Sequence, residues 1–128
     1  MRTLVAILLV VSMSAHAAVF AEREKAGLSA MATPEGKKYE ASWGKVVGPA
    51  FKACVPSGPA ASSANLGKFV LIANVARSGV VSDVDVSPSN PVSRCFAKHF
   101  AGSTLPPPPM ADSAATLFPI ADTFEVVQ

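Results

Sequence analysis

The stretch from Phe69 to Val75 constrains the fold most, because its apolar side chains recur at every second position. One face of this stretch carries Phe69, Leu71, Ala73 and Val75, and the other carries Val70, Ile72 and Asn74. A strand that is apolar on both faces is typical of the centre of a sheet and needs cover on both sides. The chain therefore needs at least one further strand beside this one and helices above it.

A second strand is predicted for residues 80–86, after a short turn at Arg77-Ser78-Gly79 in which the glycine can adopt positive φ. Its alternation is mixed: Val80, Val84 and Val86 share one face, whereas Val81, Asp83 and Asp85 share the other. If Val81 also enters the core, a β-bulge near Ser82-Asp83 is needed to restore the parity.

Two helical stripes flank this hairpin. The first places Trp43, Val46, Val47, Ala50, Phe51 and Cys54 on one face. Pro49 lies inside it and predicts a kink or a break. The second stripe carries Val92, Cys95, Phe96, His99 and Phe100. Asn90 is predicted to cap this second helix, with Pro91 at its first position and Gly102 at its end.

A final strand is predicted from Ile120 to Val127, after Pro119. The order is then helix, strand, strand, helix, strand. This order predicts a small α+β domain with a two- to three-stranded antiparallel sheet packed on two helices. We expect the domain to cover residues 39–128, preceded by a flexible leader over residues 18–38.

The first 17 residues have the pattern of a secretory signal peptide. Arg2 gives a positive start, Leu4 to Val11 is an unbroken apolar run, and Ala15-His16-Ala17 is a small-x-small cleavage site. We expect the mature protein to be periplasmic or secreted. The alternative is a retained anchor, since the apolar segment approaches the length that crosses a bilayer.

Both cysteines, Cys54 and Cys95, lie beyond the cleavage site. In an oxidising compartment an even cysteine count favours a disulfide between them, although two buried free thiols are the alternative. The net charge of the whole chain is only +2 and falls to +1 when Arg2 is removed. We therefore expect no nucleic-acid partner, and a membrane partner only if the N-terminal segment is kept.

One pair of residues is a candidate for catalytic chemistry. Cys95 and His99 are spaced i, i+4 on the second helix and could act as thiol and base in a small secreted enzyme. The spacing of Cys54, Cys95 and His99 lacks the paired motifs of a metal site, and no phosphate-binding loop is present. We accordingly expect a protein that is not an enzyme, with no catalytic residues, no metal, no cofactor and no evident small-molecule substrate.

The pattern from Tyr39 to Val127 resembles the C-terminal domain of TonB and of the TonB-like proteins of the cell envelope. A glycine, four alternating apolar residues and a second glycine form the family's signature, matched here by Gly67, then Phe69, Leu71, Ala73 and Val75, then Gly79. The match continues with Val81, Val84, Val86 and Ser89, and with the proline-led pairs Leu105-Pro106 and Phe118-Pro119. The resemblance implies the same helix-strand-strand-helix-strand fold.

The resemblance also implies a function as an exported soluble binding module. Members of the family bind an extended peptide of an envelope protein as an added strand at a sheet edge. By this analogy we expect the binding edge at Thr123, Phe124, Glu125 and Val126. The alternatives are a membrane-anchored relative of the TonB energy transducer with an uncleaved N-terminal helix, and the thiol-dependent enzyme that uses Cys95 and His99.

Overall fold

The computed structural model of the chain describes residues 2–56, 67–110 and 112–126, with side chains from residue 15 onward. Its elements are α1 Arg2–Met31, α2 Pro34–Ala41, α3 Gly44–Cys54, β1 Gly67–Ala76, β2 Val81–Ser87, α4 Pro91–Ala101 and β3 Leu117–Val126. From α3 onward the order is the predicted helix, strand, strand, helix, strand. The α+β class is therefore confirmed, with two additional helices at the N-terminal end. Among the described residues, no helix combines the length and the apolar character needed to span a membrane.

The sheet is antiparallel in the order β2-β1-β3, so that the doubly apolar strand β1 lies at its centre. The ladder between β1 and β3 is uninterrupted from the pair Gly67 and Val126 to the pair Ala76 and Leu117. Opposed residues of an antiparallel pair share a face. The pair Phe69 and Phe124 therefore marks the face toward α3 and α4.

The predicted bulge in β2 is present. Ile72 is paired with Asp85, but two residues further along β1 the partner of Asn74 is Ser82, so that β2 has one extra residue. Asp83 takes it up in the left-handed region with φ 52°. The parity shift lets both Val81 and Val86 enter the core, with 5% and 8% of their surface exposed.

The turn from β1 to β2 needs its glycine for two reasons. Gly79 has φ +91°, which a side chain disfavours, and a Cβ at this position would collide with the carbonyl group of Leu105. The close approach of the two backbones allows the Leu105 N–H to donate to the Gly79 carbonyl over 2.9 Å. This contact ties the hairpin to the segment that follows α4.

An aromatic cluster fills the space between the sheet and the helices α3 and α4. The ring centroids of Phe69 and Phe96 are 5.2 Å apart, and those of Phe96 and Phe124 are 5.4 Å apart. Phe51 meets Phe96 edge to face at 4.9 Å. Such pairs add to the stabilisation that comes from burying the rings.

Helix α4 begins and ends where the sequence predicts. The Asn90 side chain accepts from the Ser93 N–H, and the Ser93 hydroxyl accepts from the Asn90 N–H, which forms a capping box. Pro91 is the first helical residue and Gly102 is the C-cap. The predicted stripe of α3 is also observed, and α3 runs from Gly44 to Cys54 without a break at Pro49.

Helix α1 covers the sheet face that α3 and α4 leave open. Gly27 is buried on β3, and a Cβ there would lie 2.6 Å from the Ala121 side chain. Ile72 and Ala121, on this second face, are only 1% and 2% exposed. Residues 18–31 are thus part of a helix packed on the sheet, whereas the sequence predicted a flexible leader at residues 18–38. The sequence gives no sign of this packing because the contact is made by a glycine, which adds no apolar stripe.

Candidate functional site

The four residues expected to form the binding edge lie in β3, which is an edge strand of the sheet. Phe124 and Val126 point into the core and are 6% and 3% exposed. Thr123 and Glu125 alternate with them and are exposed to solvent. The core therefore anchors this strand at the edge of the sheet. Within the described part of the chain, β3 pairs with β1 alone.

One hydrogen bond shows which backbone groups of β3 face outward. The Thr123 N–H donates over 2.8 Å to Oδ1 of Asp122, which belongs to the same strand. This N–H is therefore not used in the ladder with β1 and points away from it. The backbone groups of successive residues in an antiparallel strand point to opposite sides. Those of Ala121 and Glu125 therefore point away from β1, as those of Thr123 do. Pro119 shares this orientation and has no N–H to offer. Ala121 has this orientation but is only 2% exposed where Gly27 of α1 packs on its backbone. The outward groups that remain exposed are therefore those of Thr123 and Glu125.

Asp122 is the polar exception on the core-facing side of β3, where it is half-buried beside Glu40 of α2. Burial, followed by the negative charge of Glu40, raises the pKa of its carboxyl to about 6 against the opposing effect of the Thr123 N–H. This carboxyl pair joins α2 to the edge strand. No local pattern predicts it, because Glu40 and Asp122 lie at opposite ends of the domain.

The predicted disulfide is confirmed. Cys54 at the end of α3 is bonded to Cys95 of α4, with their Cα atoms 5.6 Å apart. His99 is exposed one turn after Cys95, and its ring lies near the sulfurs: the three potential ligand atoms are all within 4.8 Å of one another. Because both sulfurs are bonded, neither cysteine offers the free thiol that the enzyme alternative requires.

Asp83 and Asp85 have separate partners. The Asp83 carboxylate accepts from the Asn74 side-chain amide over 3.2 Å, and its backbone carbonyl accepts from Arg23 of α1. Asp85 lies 3.6 Å from the imidazole of His16. These contacts fasten α1 along β2 and do not converge on a common point.

A shallow apolar groove lies beside α2 and was not predicted from the sequence. It is lined by Tyr39, Ser42, Pro106, Pro107 and Pro109, with Glu35 and Lys38 at its rim. The Tyr39 hydroxyl donates to the Pro106 carbonyl over 2.7 Å, and burial raises the pKa of this hydroxyl to about 12. The proline run at residues 106–109 is thus held against α2.

Comparison with known proteins gives no relative: no protein-family model, no curated protein and no solved structure matches the chain.

Proposed function

We propose that this chain is an exported binding module of TonB-like fold, which binds an envelope protein or an extended peptide by adding it as a strand to β3. The observation that carries the proposal is the outward direction of the backbone groups of Thr123 and Glu125, two exposed residues of an edge strand. Backbone hydrogen bonds supply the affinity in strand addition, so no special side-chain motif is required.

The two edges of the sheet are not equivalent. The edge strand β2 has a bulge at Asp83, and the Arg23 guanidinium donates to the carbonyl of that residue. Bulges and covering side chains are common ways of preventing further strand pairing. The regular strand β3 is therefore the better acceptor, over the segment from Thr123 to Val126 that follows the contact with α1.

The same outward groups suggest a clean test. Thr123→Pro removes an N–H that β1 does not use and leaves the ladder intact, whereas Thr123→Val keeps the N–H and serves as the matched control. A photo-crosslinking residue at position 125 would report strand addition in the cells that export the protein. We expect a specific crosslinked product with Thr123→Val and its loss with Thr123→Pro, at equal circular dichroism. Equal crosslinking by both variants contradicts the proposal.

Export itself is tested by an intact mass of the protein recovered from the envelope and the medium. A mass beginning at Ala18 supports the freed module. A mass that retains Met1 and Arg2 in the membrane fraction favours the anchored relative of the energy transducer instead.

A further inference from the structure

The cluster formed by Cys54, Cys95 and His99 combines ligand types that soft transition metals prefer. Thiolate and imidazole together suit Zn²⁺, and sites with two cysteines, one histidine and an open fourth position are an established class. The three ligand atoms come from two helices, the end of α3 and one face of α4, and already lie within 4.8 Å of one another.

The spacing is compatible with coordination. Bond lengths of about 2.3 Å to sulfur and about 2.0 Å to nitrogen in a tetrahedron place ligand atoms roughly 3.5–3.8 Å apart. The imidazole would need to approach by only about 1 Å to reach that range. His99 can supply this movement, because its side chain is exposed and one helical turn from Cys95 on the same face of α4. The two sulfurs move apart once their bond is reduced, because thiolates bound to one ion lie about 3.8 Å from each other.

We propose that reduction of the Cys54–Cys95 disulfide by a thiol reductant creates a Zn²⁺ site whose ligands are the two thiolates and the His99 imidazole. Two reductant thiols become a disulfide as the Cys54–Cys95 bond breaks, and each cysteine sulfur receives a proton. Zn²⁺ then displaces both protons to solvent, and the two thiolates balance its charge. Cys95 and His99 both line one surface groove, so solvent can reach the cluster.

Oxidation and metal binding exclude each other at this site. A disulfide sulfur has no thiolate charge, so the oxidised protein provides His99 alone. In either state α3 and α4 remain joined, by a covalent bond when oxidised and by the ion when reduced. The cluster therefore lets the protein keep one helix junction in two redox environments.

The test uses the full mature chain, reduced with a phosphine and desalted without oxygen. We expect it to bind one Zn²⁺ per chain, to give the visible absorption of tetrahedral Co²⁺ with thiolate ligands when Co²⁺ is the probe, and to rise in thermal midpoint on adding Zn²⁺. The oxidised chain should show none of these changes.

Two single-residue variants distinguish a specific Zn²⁺ site from non-specific binding of Zn²⁺ to the thiols. His99→Ala should weaken Zn²⁺ binding at least tenfold and change the Co²⁺ spectrum, whereas Lys98→Ala on the same helix should do neither. If the reduced chain unfolds, its thiols would bind Zn²⁺ without raising the thermal midpoint. That result overturns the proposal, and so does equal Zn²⁺ affinity in the wild type and His99→Ala.

Discussion

At the scale of single residues, Gly27 shows how closely helix α1 approaches the sheet. A Cβ at this position would lie 2.6 Å from both the Ala121 side chain and the Ile120 carbonyl carbon. We expect Gly27→Ala to lower the free energy of unfolding by about 1–3 kcal/mol, because the helix must shift off β3. Urea denaturation measures this. Gly44→Ala is the matched control, since nothing lies within 4 Å of its Cβ, and equal stability of the two variants contradicts the packing.

The raised pKa of the Asp122 carboxyl predicts how the stability of the folded protein depends on pH. Burial, followed by the charge of Glu40, raises the pKa of this carboxyl from 3.8 to about 6 in the folded protein. The folded chain therefore holds a proton that the unfolded chain releases between these two values. The resulting stabilisation is complete below the lower pKa and is lost as pH rises through the upper one.

We expect the wild type to lose about 1 kcal/mol of stability from this group between about pH 4 and pH 7, a figure reduced for the partial exposure of the carboxyl. Asp122→Asn keeps the oxygen that accepts from Thr123 N–H and should flatten this part of the pH profile. Urea midpoints across this pH range provide the measurement. Glu125→Gln, on the exposed side of the same strand, should leave the slope unchanged. An unaltered slope in Asp122→Asn would assign the effect to other groups.

At the scale of elements, the disulfide joins α3 to α4 across 41 residues of sequence. In the chain-entropy account a loop of this length stabilises the folded state by about 4 kcal/mol. We expect the double variant Cys54→Ala, Cys95→Ala to lose stability of this order in metal-free buffer, as measured by chemical denaturation. Reduction of the wild type under the same conditions should give a similar loss. A loss below about 1 kcal/mol would show that packing alone holds the two helices together.

The contacts of helix α1 predict how much of the N-terminal segment can be removed without loss of stability. Gly27 and Met31, the buried residues of α1 among those whose side chains are described, both follow Ala17. Cleavage after Ala17 loses the exposed contact of His16 with Asp85, and exposed ion pairs contribute little. A chain that starts at Ala18 should therefore keep the full-length urea midpoint.

A chain that starts at Thr33 should differ, because it lacks α1 and re-exposes Ile72 and Ala121 on the second face of the sheet. We expect it to lose at least about 2 kcal/mol, the order of re-exposing one large aliphatic side chain, and to bind a hydrophobic dye. Equal stability of the two truncated chains would mean that α1 is not part of the folded domain.

At the scale of the whole molecule, the domain has helices on both faces of one three-stranded sheet. Helices α3 and α4 cover the aromatic face, and α1 crosses the other face from Gly27 over β3 to Arg23 at β2. This arrangement satisfies the requirement set by β1, whose two faces are both apolar. In the described part of the chain, β3 is the edge strand without a bulge, and its exposed segment after Ala121 is where we propose that a partner strand binds.

Local chemistry allowed much of this fold to be predicted. The alternation of β1, the stripe of α3, the cap at Asn90 and the glycine at position 79 each depend on residues a few positions apart, and each is confirmed. The bulge at Asp83 was predictable because Val81 and Val86 cannot both be buried without it. The pairing of two cysteines in one chain left a single intramolecular choice.

The sequence by itself therefore determined the elements from α3 onward and their order, and it favoured the disulfide, since periodicity, capping and turn chemistry are short-range properties. Only the tertiary structure decided what covers the second face of the sheet, which carboxyl lies beside Asp122, and how near His99 stands to the sulfurs. The physical reason is that these contacts join residues distant in the chain through a glycine, a charge pair and an exposed ring. None of the three leaves a periodic apolar pattern, so nothing in the local sequence predicts where they meet.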